Sequence, residues 1–335
     1  MSGGVDSSVA AFFLREKGYQ VTGAVIDTGF GHAPEQAANI CRQLGIECRV
    51  IKAADIFRQR VIEPFVNDYL EGKTPNPCVN CNERFKFPIF LPLMDELGAD
   101  NLATGHYCRI GWDNGAYYLQ KALAGNKDQT YFLYRLSQDI LSHCLFPLGE
   151  YSKEQVRRIA AENGLASAGQ KDSFDICFIE DGDYRRCVRN YAHIVPRPGD
   201  MVDMQGRVVG SHQGLLDYTI GQRKGIGAAL GYPAYVVGMD HEQARLILGS
   251  RQQLNADSIK VERLTFIDGR KLSKPIRAMI KIRCQAPPVY GWIKPDPDFS
   301  DKAEISFEEP VWAPAAGQSA VFYDNDILLG GGIIQ

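Results

Sequence analysis

The feature that most constrains the fold is the opening Ser2-Gly3-Gly4-Val5-Asp6-Ser7-Ser8, a glycine-rich stretch that runs into an apolar helical pattern at Val9, Phe12 and Phe13 and stops at Gly18. Two glycines let a backbone approach a ligand closely, and hydroxyls with free amides at a helix start attract anions. Downstream, Val21 to Ile26 reads as a buried strand, Pro34 to Leu44 as a helix ended by Gly45, and Cys48 to Ile51 as another strand. Such alternation predicts an α/β fold with a parallel sheet covered by helices.

Residues 52–70 read as helical, and Gly72, Pro75 and Pro77 then break the chain into a loop carrying Cys78 and Cys81. A helical stretch follows from about Glu83 to Leu97, then a short strand at Asn101 to Gly105 and a hairpin turning at Asp113-Asn114-Gly115. Ser152 with Gln155 forms a capping-box pattern for a helix running through Glu162. From about residue 195 prolines, glycine turns and short strands take over, as in Met201 to Met204 and Arg207 to Val209. After about residue 256 the strands lengthen, with Ala278 to Cys284, Ala303 to Phe307 and Ser319 to Tyr323. The expected division is residues 1–193, an α/β domain; 194–255, a small β-rich domain; and 256–335, a β-barrel or sandwich.

Composition narrows the function classes. The 335 residues are 45% hydrophobic and contain no apolar run of about eighteen, the length that a membrane helix requires. Nine cysteines, an odd count at uneven spacing, fit reduced thiols and a cytoplasmic location away from membranes. A net charge of -3 argues against coating nucleic acid through bulk positive charge. A local basic strip remains at Lys274, Arg277, Lys281, Arg283 and Lys294.

The opening loop lacks the Gly-Lys-Ser or Gly-Lys-Thr ending of a Walker loop and resembles the PP-loop of N-type ATP pyrophosphatases. That resemblance implies cleavage of ATP between its α- and β-phosphates, with Ser2, Gly3, Gly4, Val5, Asp6 and Ser7 at the nucleotide and Asp6 placing Mg²⁺. It also implies a strand before the loop, which this chain does not include.

Cys78-Val79-Asn80-Cys81 has the two-residue spacing that turns both sulfurs toward one centre. Alone it fits half a zinc site, a redox pair, part of an iron-sulfur site or two incidental thiols. Asn76-Pro77-Cys78 with Cys81-Asn82, Ala103-Thr104-Gly105-His106-Tyr107, Lys127-Asp128-Gln129, Cys177-Phe178-Ile179 and Tyr218-Thr219-Ile220-Gly221-Gln222-Arg223-Lys224-Gly225 occur in the order found in tRNA-specific 2-thiouridylases. The chain resembles that family over nearly its whole length.

The resemblance implies a PP-loop domain of the adenine nucleotide alpha hydrolase type, a β-rich middle domain and a C-terminal barrel. It implies adenylation of O2 of wobble uridine 34 in tRNAs for Lys, Glu and Gln, followed by replacement of that oxygen with sulfur. Cys177 is carried over as the persulfide carrier and Cys81 as the thiol that releases the sulfur, leaving a transient disulfide. Gly105 and Ile26 correspond to the adenosine site, where methionine is commoner at the latter. Asn76, Pro77, Cys78, Lys127, Asp128, Gln129, Arg283 and Cys284 correspond to positions facing tRNA, with Cys284 replacing the usual tyrosine. Arg223 and Lys224 are expected at tRNA phosphate, while His106 and His212 are expected to pack rather than react.

One departure bears on mechanism. Many members have aspartate where this chain has Cys78, so Cys78, Cys81 and Cys177 make three candidate ligands for a [4Fe-4S] cluster with one open iron. The persulfide route is the alternative, with Cys78 a spectator or spare disulfide partner, and zinc ranks third for want of a fourth ligand. The sulfur donor is expected to be a relay protein, a cysteine desulfurase or inorganic sulfide. Rival readings are another adenylating PP-loop enzyme and a non-catalytic tRNA-binding homologue.

Overall fold

The computed structural model describes residues 1–170, 176–179, 181–228 and 230–335. The opening loop feeds the helix Val5–Glu16, whose Val5, Val9, Ala10 and Leu14 are buried. Thr22–Asp27 and Glu47–Lys52 pair in parallel, in register from Thr22 with Glu47 to Asp27 with Lys52, and the helix Ala33–Leu44 crosses between them. A second parallel pair joins Leu102–Ala103 to Cys144–Leu145, shorter than the strand the sequence suggests because only Leu102 and Ala103 find ladder partners.

The helical reading of 52–70 holds, with one irregularity. Ala54–Phe57 passes through a π turn at Arg58–Ile62 into Glu63–Leu70, whose Pro64 has no N–H for an ordinary ladder. Cys78 and Cys81 are not on a loop. They lie on a short helix, Pro77–Cys81, because Asn76 is its N-cap, accepting from the Val79 N–H at 3.4 Å, and Pro77 sits at the first turn, where a missing N–H costs nothing. A second π turn, Asn82–Lys86, continues into Phe87–Leu97.

The hairpin forms as expected, Cys108–Asp113 against Ala116–Lys121, with Asn114 at φ 50° and Gly115 at φ 81° in the turn. Ser152 and Gln155 form the capping box of Lys153–Glu162. The middle region is a four-stranded sheet built from Gly199–Val202, Val208–His212, Tyr235–Asp240 and Arg245–Gly249.

Six C-terminal strands close into a barrel. Asn255–Phe266, Ala303–Trp312, Val289–Pro295, Ile276–Lys281, Ser319–Asp324 and Ile327–Ile334 follow one another around it, and the last pairs back onto the first. Ser319–Asp324 is buried at every position but its end, since Ala320 and Phe322 face the barrel core while Val321 and Tyr323 join a core with Leu119, Tyr131 and Leu133. Fully burying one such large apolar side chain contributes about 1.5–3 kcal/mol, so this shared strand binds the barrel to the preceding α/β region. The hairpin strand Ala116–Lys121 also joins the barrel edge, Gln120 opposite Ile327.

Candidate active site

The phosphate loop has its geometry fixed by close packing. Gly3 stands at φ 78°, and a Cβ there would lie 2.4 Å from Gln36 Cβ, so no other residue fits. Ser7 Oγ and Ser8 Oγ donate back to the Gly4 carbonyl at 3.1 and 2.9 Å, while the helix start carries no side-chain cap. The first amides of that helix therefore remain available to an anion. Gly105 lies flush against the same turn, where a Cβ would come 2.8 Å from the Asp6 carbonyl carbon and 2.9 Å from Ser7 N. Ile26, half-buried, packs instead on the aromatic cluster of Phe57 and Phe178.

Asp6 is held by two residues to which the sequence assigns no role. Lys153 Nζ donates to both of its oxygens at 2.7 and 2.8 Å, and Tyr107 Oη donates to Oδ1 at 2.7 Å. The Lys153 side chain is only 9% exposed, whereas Asp6 is 34% exposed and reachable. The capping box at Ser152 marks where the helix begins, and Lys153 follows it directly, but nothing local says that this helix points at the phosphate loop.

The strip Lys127-Asp128-Gln129 braces Tyr107. Gln129 Oε1 accepts from the Tyr107 N–H at 2.9 Å and its own N–H donates to the Tyr107 carbonyl, while Asp128 accepts from Thr130 Oγ1 at 2.7 Å and from the Ala122 and Thr130 amides. The polar ends of Asp128 and Gln129 thus serve the chain itself. Lys127 closes a short turn, Gly125–Lys127, and is half-buried. His106 bonds Thr104 Oγ1 through Nδ1 at 2.8 Å and stacks on Phe87; burial, aided by Lys86, holds it well below its ordinary pKa and therefore neutral.

Cys78, Cys81 and Cys177 are brought within electrostatic reach of one another. Burial by the surrounding protein raises Cys78 to about 11, with Cys177, Cys81 and Cys284 adding to the rise and Lys86 opposing it. Burial likewise raises Cys81 and Cys177, again against Lys86. Cys78 and Cys177 are nevertheless exposed as residues, although the recess disfavours their charged forms. Lys86 is the cation common to all three thiols and to His106, and its backbone N–H hydrogen-bonds the Cys81 sulfur. Its position five residues after Cys81, across a π turn, is what hides it from a sequence reading.

Among the described residues no three His, Cys, Asp or Glu side chains converge closely enough to hold a metal ion. The three thiols, in this arrangement, do not fit the expected [4Fe-4S] cluster.

Pro77 is buried and Asn76 half-buried at the helix start. Arg283 and Cys284 fall in the turn after Ile276–Lys281 rather than on the longer strand suggested by the sequence. Arg283 donates to the Ala313 carbonyl at 2.6 Å and lies over Trp312, against which Gly221 of the Tyr218 to Gly225 turn also packs. In the basic strip, Arg277 is paired with Glu308 at 2.6 and 2.9 Å. His212 is buried, its Nε2 on the Ala244 carbonyl at 3.0 Å, in keeping with a packing role.

A family model described as tRNA methyl transferase HUP domain matches residues 1–181, one described as tRNA methyl transferase PRC-barrel domain matches 191–250, and one described as aminomethyltransferase beta-barrel domain matches 256–334. The tRNA-specific 2-thiouridylase MnmA of Clostridium acetobutylicum is 41% identical over 100% of this chain and 98% of its own length. Its counterparts in Acetivibrio thermocellus and Roseiflexus castenholzii are each 42% identical over 100% of this chain and 98% and 97% of theirs. A solved structure, described as a predicted subunit of tRNA methyltransferase from Methanocaldococcus jannaschii DSM, is 19% identical over 57% of this chain and 82% of its own, with a TM-score of 0.32.

Proposed function

The chain belongs to the tRNA-specific 2-thiouridylase family, and from that premise we propose that it uses ATP to activate O2 of wobble uridine 34 and replaces that oxygen with sulfur. What supports the reading is that one lysine lies within electrostatic reach of both halves of this chemistry. Gly105 lies on the uncapped phosphate-loop helix, and Lys86 acts both on its neighbour His106 and on the three thiols. Thiols beside a phosphate loop suit the sulfur transfer named in the relatives better than the methyl transfer named in the family models.

In this reading the free amides after Gly4 hold the departing pyrophosphate while uridine O2 attacks the α-phosphorus. A bond from O2 to phosphorus forms, the α–β bridge breaks, and O2 becomes part of an AMP leaving group. Lys153 neutralises Asp6 until nucleotide arrives. A single carboxylate fits the way Mg²⁺ binds beside phosphates and water; Asp6 would hold the ion, which would supply neutralisation of phosphate charge.

Cys177 carries the sulfur as a persulfide. Its terminal sulfur bonds to C2 as Cys81 attacks Cys177 Sγ, so that a Cys81–Cys177 disulfide forms, the persulfide bond breaks toward the transferred sulfur, and AMP leaves with the old oxygen. A dithiol reductant resets the pair. Lys86 stabilises thiolate at the moment of attack, and Cys78 stands by. The donor is a persulfide-bearing protein, such as a relay protein or a cysteine desulfurase, and the substrates are tRNAs for Lys, Glu and Gln. A reducing cytoplasm suits nine free cysteines. Among the described residues no helix is long and apolar enough to cross a membrane.

The test is incubation with unmodified tRNA, ATP, Mg²⁺ and a persulfide donor, followed by nucleoside mass spectrometry and pyrophosphate assay. Equimolar 2-thiouridine and pyrophosphate are expected. Pyrophosphate without 2-thiouridine would indicate a different adenylating enzyme, and tRNA binding with neither product a non-catalytic homologue.

A further inference from the structure

The segment carrying Cys78 and Cys81 is tethered to the C-terminal barrel at both ends. At its start the Thr74 N–H donates to the Ala316 carbonyl at 2.7 Å, Gln318 Nε2 donates to the Thr74 carbonyl at 2.7 Å, and Gly317 sits so close that a Cβ would lie 2.9 Å from Lys73 Cβ. At its end Glu83, two residues past Cys81, accepts from Arg263 Nη2 at 3.1 and 3.4 Å and from Arg135 Nη2 at 2.8 Å. Arg263 belongs to the barrel strand Asn255–Phe266, at a bulge between Glu262 and Thr265 with φ 51°, and Arg135 Nη1 secures its carbonyl at 2.8 Å. A strand that adopts a left-handed residue at a bulge re-aims that side chain, here toward Glu83.

Glu83 lies inside the π turn Asn82–Lys86, between Cys81 and Lys86. A π turn holds one residue more than an α turn, so relaxing it would rotate Lys86 relative to Cys81 by roughly 100° about the helix axis. The register is thus a discrete choice. The facing π turn, Arg58–Ile62, adds Asn80 Nδ2 to the Arg60 carbonyl at 2.8 Å and Arg60 Nη1 to the Arg84 carbonyl at 3.1 Å. A cavity of about 130 Å³ beside Glu83, Arg135 and Arg263 leaves room for the turn to shift if the tether is lost.

We propose that Arg263 and Glu83 are positioning residues through which the barrel sets the placement of Cys81 and Lys86, and so governs sulfur transfer without governing nucleotide activation. The inference rests on the sulfur-transfer reading given above. Each acts through the π turn.

The experiment uses the full chain with unmodified tRNA, ATP and a persulfide donor, comparing Glu83→Gln, Arg263→Ala and Arg263→Lys. Glu83→Gln and Arg263→Ala are expected to lower kcat for 2-thiouridine formation about 10- to 100-fold, the cost of misplacing reacting groups by about an ångström. Pyrophosphate release, measured in a single turnover with enzyme in excess over tRNA, should stay at the wild-type rate, and Arg263→Lys should recover most of the thiolation loss. The double variant should be no worse than the poorer single one, as expected for one shared interaction. Iodoacetamide labelling of Cys81, followed by peptide mass spectrometry, should change in rate in the same two variants. Wild-type thiolation rates in Glu83→Gln and Arg263→Ala would overturn the proposal, as would equal losses of pyrophosphate release and thiolation. Should Glu83→Gln not fold, the two Arg263 variants decide alone. Should the wild-type chain form no 2-thiouridine, the functional reading fails by itself, and the Cys81 labelling rates still decide whether the tether acts.

Discussion

The phosphate loop and the thiol recess differ in how complete they are before any ligand binds. At the loop, Asp6 has Lys153 and Tyr107, Tyr107 has Gln129, and Gly3 and Gly105 are packed so closely that neither accepts a Cβ. In the recess, the surrounding protein disfavours the thiolates and Lys86 alone among the named neighbours opposes that effect at all three thiols. An anion site can be built in advance from fixed dipoles, because its ligand arrives already charged. A thiol used for transfer gains from remaining protonated until its partner is in place, since a standing thiolate is open to oxidation.

The sharpest way to break this contrast is to remove one end at a time. Cys81→Ala and Cys177→Ala should lower 2-thiouridine formation about 10³-fold or more while single-turnover pyrophosphate release is kept, as loss of a nucleophile in the second step does. Coupled loss of both products would mean that the two ends are not separable. Lys153→Met should do the converse, lowering pyrophosphate release about 10- to 100-fold because Asp6 loses the partner that positions it, with thiol labelling unchanged. A smaller effect should appear as stability at the tether. Burial opposes ionisation of Glu83, but Arg135, Arg263 and Arg84 outweigh it and hold the carboxyl below its ordinary 4.5. Arg263 is itself lowered by burial and by Arg135 beside it, so Arg135 is the stronger partner.

Because the folded pKa of Glu83 lies below the unfolded one, its contribution is complete above about pH 4.5 and is lost as pH falls through the lowered folded value. Urea denaturation should therefore show Glu83→Gln about 2 kcal/mol less stable at pH 7, with the gap closing toward pH 3. A gap that persisted at pH 3 would assign the effect to packing. Lys86→Met should slow iodoacetamide labelling of Cys81 at pH 8 by about 3- to 10-fold and move its pH profile to higher pH, the loss of one nearby charge. The smallest change is expected for Cys78→Ala, with 2-thiouridine formation within about twofold of wild type, as for a thiol that forms neither the persulfide nor the transient disulfide. Equal losses for all three cysteines would count against the persulfide route.

Much of this molecule is legible along the chain. The glycine-serine loop before an apolar helix, the Asn114-Gly115 turn and the Ser152 capping box are each set by contacts within a few residues, and all three form as read. The helix at Pro77 reads as a loop because the same proline that breaks a helix interior also starts one, and only the Asn76 side chain on the Val79 amide tells the cases apart. The strand that reads as Ala278 to Cys284 ends instead at Lys281, because its ladder bonds to partners distant in sequence stop there. Lys153, Lys86 and Glu83 were invisible as site residues, since a lysine at a helix start or a glutamate two residues past a cysteine reads as solvated charge until its partner is known.

By itself the sequence determined the α/β class, the phosphate loop around Asp6, the identity of the thiols and the membership of the family, because these depend on local spacing and on motifs in order. Tertiary structure alone decided that Lys153 closes on Asp6, that one lysine serves three sulfurs, and that a barrel arginine grips the turn between Cys81 and Lys86. The physical reason is separation along the chain: Asp6 and Lys153 are |i−j| = 147 apart and Glu83 and Arg263 are |i−j| = 180 apart. No pattern read in a window of a few turns reaches across such distances; only the folding of sheet, helices and barrel onto shared cores brings those charges together.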